Sequence, residues 1–298
     1  MQKLEECKLC PRNCKVNRRD GQRGYCRVDA QLIVARAGLH FWEEPCLSGT
    51  SGSGTVFFSG CSMGCVFCQN QCIASGKVGK VITVNRLAEI FLELQDKGAL
   101  NINLVTPSHY ILHIKEALEI AKAKGLHLPI VYNTSGYEKV ESLQLLDGLI
   151  DIYLPDFKYK SSLLAKKYSN APSYFEVTSK ALEEMVRQVG LPSFNEEGIM
   201  QKGVIVRHLM LPGYLQDSKN IIRYLYETYG DKIYISMMNQ YTPLAQVNAY
   251  PELNRKVAKI AYRKLVNYAI KLGIENGFIQ EGETALESFI PKFNNEGV

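Results

Sequence analysis

Short aliphatic runs alternate with amphipathic stretches along most of the chain. Residues 55–60, TVFFSG, read as a short buried strand that runs into a cysteine-rich loop. In VNRLAEIFLELQDKG, residues 84–98, Leu87, Ile90, Phe91 and Leu94 recur at helical spacing, and Gly98 stops the pattern. NINLVT at 101–106 predicts the next strand, with Ser108 in an N-cap position before a helix that ends at Gly125. The cycle then repeats. Strands are predicted at 128–136, 149–157, 203–213 and 232–241, and helices at 138–146, 161–188, 218–230 and 252–273, with GFIQ as a terminal strand.

About six βα units with β-branched strands predict an α/β fold, a parallel sheet covered by helices. An open doubly wound sheet and a barrel, complete or partial, both fit this periodicity. No GxGxxG follows the first strand and no P-loop occurs, which weighs against a dinucleotide-binding version. Both architectures place chemistry at the carboxyl ends of the strands. The residues there are Thr106, Ser108 and His109; Asn133 and Ser135; Asp156 and Lys158; Arg207 and His208; Asn239 and Gln240. Helix capping alone would supply mainly Ser, Thr or Asp at such positions, so the His, Lys and Arg-His residues point to a ligand.

Composition narrows the class. The chain has 298 residues, 46% hydrophobic and 22% charged, with a formal net charge of +5. It is long enough to bury a core without covalent staples. No apolar run approaches the roughly 20 residues a membrane span needs, and the first residues lack the apolar core of a signal peptide. A cytoplasmic protein with no membrane association is expected. Basic residues are dispersed apart from NRRDGQR at 17–23, so nucleic acid is a minority expectation.

The nine cysteines change the picture most. All lie between Cys7 and Cys72. In a reducing compartment clustered thiols read as metal ligands before disulfides, and an odd count weighs against a closed disulfide framework. Cys61, Cys65 and Cys68 form C-x3-C-x2-C at the end of the first strand, with Cys72 as a fourth thiol nearby. Four ligands on so short a loop would strain to surround one zinc ion, whereas a cubane iron–sulfur cluster takes thiolates from compact loops. Three thiolates would leave one iron open to a non-protein ligand. Upstream, Cys7, Cys10, Cys14 and Cys26 give C-x2-C-x3-C-x11-C, suited to one further metal site holding either zinc or a [4Fe-4S] cluster. Cys46 and Cys72 have no assigned partner.

GCSMGCVFCQN, at the end of the first strand of a βα-repeat chain, resembles the radical S-adenosylmethionine (SAM) superfamily. Together with EEPCLSGTSGSGTVFFSGC, NINLVTPSHY, VYNTSGY, DIYLPDFKY, EMVRQVG and VRHLMLPG, it looks like the branch of proteins similar to pyruvate formate-lyase activating enzyme. The resemblance implies a partial (β/α)6 TIM-like barrel over residues 51–298, with a C-terminal helix and tail, and a small cysteine-rich metal-binding lobe over residues 1–50. It implies a [4Fe-4S] cluster on Cys61, Cys65 and Cys68, and SAM chelating the open iron. Reductive cleavage of SAM would give a 5′-deoxyadenosyl radical that abstracts a substrate hydrogen. Phe67 would lie against the adenine. Thr106-Pro107-Ser108-His109 stands where activating enzymes carry Gly-Gly-Glu, so Thr106, Ser108 and His109 are the candidate contacts to the methionyl amine. Asn133 and Ser135 match the ribose-contacting strand end. Asp156 and Lys158 match an Asp-x-Lys in which the lysine pairs with the SAM carboxylate, and His208 would act likewise.

Three functions follow as expectations. The first is an oxidoreductase-type activase that installs a glycyl radical on a partner enzyme. The second is a radical SAM enzyme that modifies a peptide, RNA or small molecule directly. The third is a non-enzymatic iron–sulfur protein for electron transfer or scaffolding. The first two need a reducing donor such as flavodoxin or ferredoxin.

Overall fold

The computed structural model describes residues 4–280, 291 and 293–298. Residues 281–290 and 292 of the expected C-terminal tail lie outside the described residues. The strands are β1 Leu32–His40, β2 Ser53–Phe58, β3 Lys80–Ile82, β4 Ile102–Val105, β5 Ile130–Thr134, β6 Ile152–Pro155, β7 Ser193–Phe194, β8 Met200–Leu209, β9 Tyr234–Met238 and β10 Gly277–Ile279. The helices are α1 Pro45–Ser48, α2 Gln71–Ala74, α3 Val84–Asp96, α4 Ile111–Ala123, α5 Val140–Leu143, α6 Ser162–Ser169, α7 Tyr174–Val189, α8 Leu215–Tyr229 and α9 Lys259–Leu272.

The main sheet runs in the order β10-β9-β8-β6-β5-β4-β2-β1-β3. From β2 through β10 every neighbouring pair is parallel, whereas β1 is antiparallel to both β2 and β3. Among the described residues β10 and β3 do not pair with each other, so the sheet is a partial barrel. Helix crossovers between successive parallel strands are what such a sheet requires.

Alternation along β5 shows how the barrel is filled. Ile130 and Tyr132 join the large cluster shared with Leu87, Ile90, Leu118 and the other helix residues. Val131 instead meets Ile152, Leu154, Met200 and Ile205 on the opposite, inner face, where Cys46 and Leu47 of α1 complete a second cluster. Segment 41–52 therefore plugs the barrel from within, and Cys46 serves as a small apolar filler.

Three expectations change. Strand β1 belongs to the barrel sheet, so the expected boundary at 50/51 falls inside the plug, and the separate cysteine-rich lobe ends before Leu32. Its burial is irregular rather than alternating, which hid it from a period-two search. Helix α9 begins at Lys259, not at 252, because Glu252 is held elsewhere: its carboxylate accepts from the Tyr168 hydroxyl at 2.6 Å and pairs with Lys167 at 2.6 Å. Ser108 does not cap α4. It opens a short 3-10 turn, and its hydroxyl donates to the Glu138 carboxylate.

Candidate metal and cofactor site

The chain leaves β2 at Phe58 and enters the loop that carries Cys61, Cys65 and Cys68. Hydrogen bonds tie this loop down along its length. Gly60 N–H donates to Ile73 O at 2.8 Å and Val66 N–H to Tyr168 O at 2.9 Å. Gln69 Nε2 donates to Gln240 O at 2.9 Å, and Gln246 Nε2 to Cys68 O at 2.9 Å. The loop thus reaches from β2 across to the segment after β9, over the carboxyl ends of the strands.

The three thiols interact. Burial pushes the Cys65 and Cys68 thiols up, Cys61 adds to both and Cys65 to Cys68, and the nearby Lys158 ammonium opposes the rise. Two donors already address the sulfurs: Met63 N–H to Cys61 Sγ at 3.3 Å, and Ser169 Oγ to Cys65 Sγ at 3.1 Å. Ser169 Oγ also meets the buried Tyr159 hydroxyl at 2.7 Å. Three neighbouring thiols on one loop, with N–H and O–H donors aimed at sulfur and a cation alongside, fit an anionic cluster with one position left open. Cys72 is exposed on α2 and stands outside this set.

The strand ends supply the rest. Asp156 and Lys158 lie at the end of β6, where Lys158 Nζ meets Asp156 Oδ2 at 2.5 Å. Burial alone would lower the lysine, but Asp156 and Cys65 hold it well above its ordinary value, so it stays charged. His208 Nδ1 lies 2.8 Å from Phe157 O, which assigns the proton to Nδ1 and leaves Nε2 as an acceptor. Burial lowers this imidazole to about 4, so it is neutral, and its buried Nε2 has no protein partner. A neutral acceptor takes an N–H or O–H from a ligand rather than a carboxylate, which corrects the pairing expected for His208. Asn133 and Ser135 are half-buried at the end of β5, next to Thr106, whose N–H donates to Asn133 O at 2.9 Å. Thr106 itself is left-handed, with φ of 60°. For a β-branched residue this is a strained conformation, of the kind that clusters at ligand sites.

Other candidates turn away from this mouth. The Phe67 ring is buried and packs at 6.4 Å from Tyr159 and 6.2 Å from Tyr241. Ser108 and Thr134 both donate to Glu138, a carboxyl that burial raises to about 7. His109 Nε2 lies 2.8 Å from Ser59 O, and the His109 carbonyl accepts from Arg18 at 2.7 Å. Ser108 and the Nε2 of His109 are thus tied into the wall, the buried Nδ1 of His109 has no partner, and Thr106 is half-buried at the strand end.

His109 has a measurable consequence. Burial lowers its pKa from 6.5 to about 3. Between those values the unfolded chain binds a proton that the folded chain refuses, so this residue's share of stability is full above pH 6.5 and is lost as pH falls. In urea unfolding from pH 7 to 4, the wild type is expected to lose about 1.4 kcal/mol per pH unit relative to His109→Gln below pH 6.5. Parallel curves for the two proteins would contradict this.

Sequence reasoning took Arg207 for a ligand-facing strand end and overlooked its glutamate partners, and it overlooked Arg12 altogether. Inside the barrel Arg207 donates to Glu44 at 2.8 and 2.5 Å and also to Glu43, which accepts from Asn103 at 3.0 Å. The paired glutamates before Pro45 were the available signal. Arg12, in the CPRNC segment, reaches the cysteine loop, as developed below.

A family model described as a 4Fe-4S single cluster domain matches residues 47–170, which include the Cys61–Cys68 loop. An uncharacterized protein of Methanocaldococcus jannaschii is 29% identical over 91% of this chain and 76% of its own length. Among solved structures, Streptococcus suis SuiB bound to S-adenosylmethionine superposes with a TM-score of 0.50 and 17% identity, over 74% of this chain and 48% of SuiB. HydG, a maturase of the [FeFe]-hydrogenase, gives 0.50 and 15%, over 74% of this chain and 50% of HydG. The chain spans about half the length of these structures. The fold is a partial α/β barrel like that of these structures, and its cysteine loop lies within the 4Fe-4S single-cluster match. No helix among the described residues is long and apolar enough to cross a membrane.

Proposed function

We propose that the protein is a radical SAM enzyme. The observation that carries this is the three-thiol loop set over strand ends that offer a charged lysine and a free imidazole acceptor. Cys61, Cys65 and Cys68 would hold the [4Fe-4S] cluster, which supplies, when bound, the electron for reductive cleavage of SAM and hence hydrogen abstraction. Lys158 would hold the SAM carboxylate, with Asp156 fixing the ammonium in place. His208 Nε2 would accept from the ligand's amine or a hydroxyl, while Thr106, Asn133 and Ser135 border the remaining mouth. The aromatic packing of Phe67, Tyr159 and Tyr241 keeps water from the loop's rear. Anaerobically reconstituted, dithionite-reduced protein should convert SAM to 5′-deoxyadenosine and methionine. An intact cluster without that product would refute the reading.

The finer reading is an activase that draws hydrogen from a glycine of a partner enzyme, with flavodoxin or ferredoxin as donor and the cytoplasm as compartment. Direct modification of a peptide, RNA or small molecule is the competitor, and the replaced Gly-Gly-Glu segment supports keeping it. Deuterated glycine in a candidate partner should label 5′-deoxyadenosine if the activase reading holds.

Ser169 would tune the cluster. Its hydroxyl donates to Cys65 Sγ, and hydrogen bonds to cluster sulfur raise the reduction potential. Ser169→Ala should shift the midpoint downward by about tens of millivolts in an anaerobic redox titration. An unchanged potential would remove Ser169 from this role.

A further inference from the structure

The upstream cysteines form a second compact set packed against the first loop. Cys7, Cys10 and Cys26 are buried and Cys14 is half-buried. Cys7 and Cys14 lie within electrostatic reach of Cys26, and Cys14 and Cys26 within reach of Cys10, so all four share one locality. The chain adopts unfavourable backbone to bring them there. Lys15 and Arg27, next to Cys14 and Cys26, are left-handed with φ of 58° and 67°. Tyr25 N–H donates to Cys14 Sγ at 3.2 Å, the same kind of contact that Met63 makes to Cys61.

The placement of the thiols bears on whether a single ion or a cluster sits there. Among the described residues, no three Cys, His, Asp or Glu side chains converge on a point that one ion could occupy, and this holds for the Cys61 loop too. A tetrahedral zinc site draws its four sulfurs around one point, whereas a cubane holds each thiolate at a separate iron corner. The four thiols share one locality without such a point, which weighs against a single tetrahedral ion and leaves the cluster to be decided by the iron count below.

The lobe is also built onto the first loop. Arg12, between Cys10 and Cys14, donates to Ser62 O at 2.8 Å, Met63 O at 2.9 Å and Ser169 O at 2.8 Å, and also to Asn170 O. Its guanidinium stacks on Tyr25 at 3.8 Å. A Cβ at Gly60 would stand 2.7 Å from Cys26 O, and one at Gly64 would stand 3.0 Å from the Tyr25 hydroxyl. Both glycines have positive φ; Gly60 directly precedes Cys61 and Gly64 directly precedes Cys65.

We infer that Cys7, Cys10, Cys14 and Cys26 hold a second [4Fe-4S] cluster, and that Arg12 clamps the Cys61–Cys68 loop to it. The second site stands independently of the radical SAM reading; only the clamping arm rests on it. The full chain is reconstituted anaerobically with iron and sulfide, beside a variant with Cys61, Cys65 and Cys68 all changed to alanine. The wild type should hold about eight irons, and the triple variant about four, with the Mössbauer signature of a cubane. Adding Cys10→Ala and Cys14→Ala to the triple variant should remove those four. Zinc in place of iron in the triple variant, no metal there, or iron that survives the added changes would each overturn the proposal. SAM cleavage plays no part in this measurement, so its failure would leave the result intact. Because cysteine changes can unfold the lobe, Arg12→Ala gives a second handle. It should keep both clusters yet release iron from the Cys61 loop to a chelator several-fold faster. An unchanged release rate would overturn the clamp.

Discussion

Replacing Arg207 by methionine is expected to destabilise the protein by about 3–5 kcal/mol, the range for removing one partner of a buried ion pair. Glu43 and Glu44 would be left inside the barrel, where their side chains are only 7% and 6% exposed. Burial alone would raise Glu44, and Arg207 holds it below the usual carboxylate range instead. Without the guanidinium those carboxylates must take up protons or draw in water. Thermal unfolding should shift down by about 10 °C, at a few degrees per kcal/mol for a domain of this size. Adding Glu44→Gln to Arg207→Met should recover part of the loss by removing one stranded charge. If the double variant is no more stable than the single, or the single melts like the wild type, the plug is not held as described.

The largest effect on activity is expected at Cys65. Cys65→Ala should bring 5′-deoxyadenosine formation to background, at least about a thousandfold down, equivalent to about 4 kcal/mol of barrier. Cys65 is the thiol most enmeshed with its surroundings. It takes the Ser169 hydroxyl at 3.1 Å and lies in the field of Lys158 and Asp156. Loss of this ligand removes a corner from the site and takes away one of the groups, after Asp156, that hold the Lys158 ammonium. Cys72→Ala, on the exposed side of α2, should cleave SAM at the wild-type rate. Equal loss in both variants would mean that the three-thiol set has been drawn wrongly.

Much of this was legible in the chain because it is local. Helical spacing set α3 and α4 within two residues of their ends, and aliphatic runs marked β4, β5 and β6. The C-x3-C-x2-C loop and the Asp-x-Lys at Asp156 and Lys158 are short-range patterns, and the family-model match covers both. What escaped depends on contacts distant in sequence. Glu43 and Glu44 look like solvated surface charge until β8 places Arg207 between them. Ser108 looks like a helix cap, and nothing before Glu138 shows that a buried carboxyl will take its hydroxyl instead. Arg12 reads as one more dispersed cation, because its carbonyl partners come from residues 62–63 and 169–170.

The plug also bears on the order in which the barrel assembles. Glu44 and Arg207 are 163 residues apart, so their pairing closes one of the longest loops in the chain. Contacts of that separation come late, after local βα units have formed. During synthesis the two glutamates wait until β8 has emerged. A bond absent from the transition state acts on escape from the native state, so Arg207→Met should speed unfolding far more than it slows refolding. The ion triad would then serve as a bolt that determines how long a finished barrel stays shut.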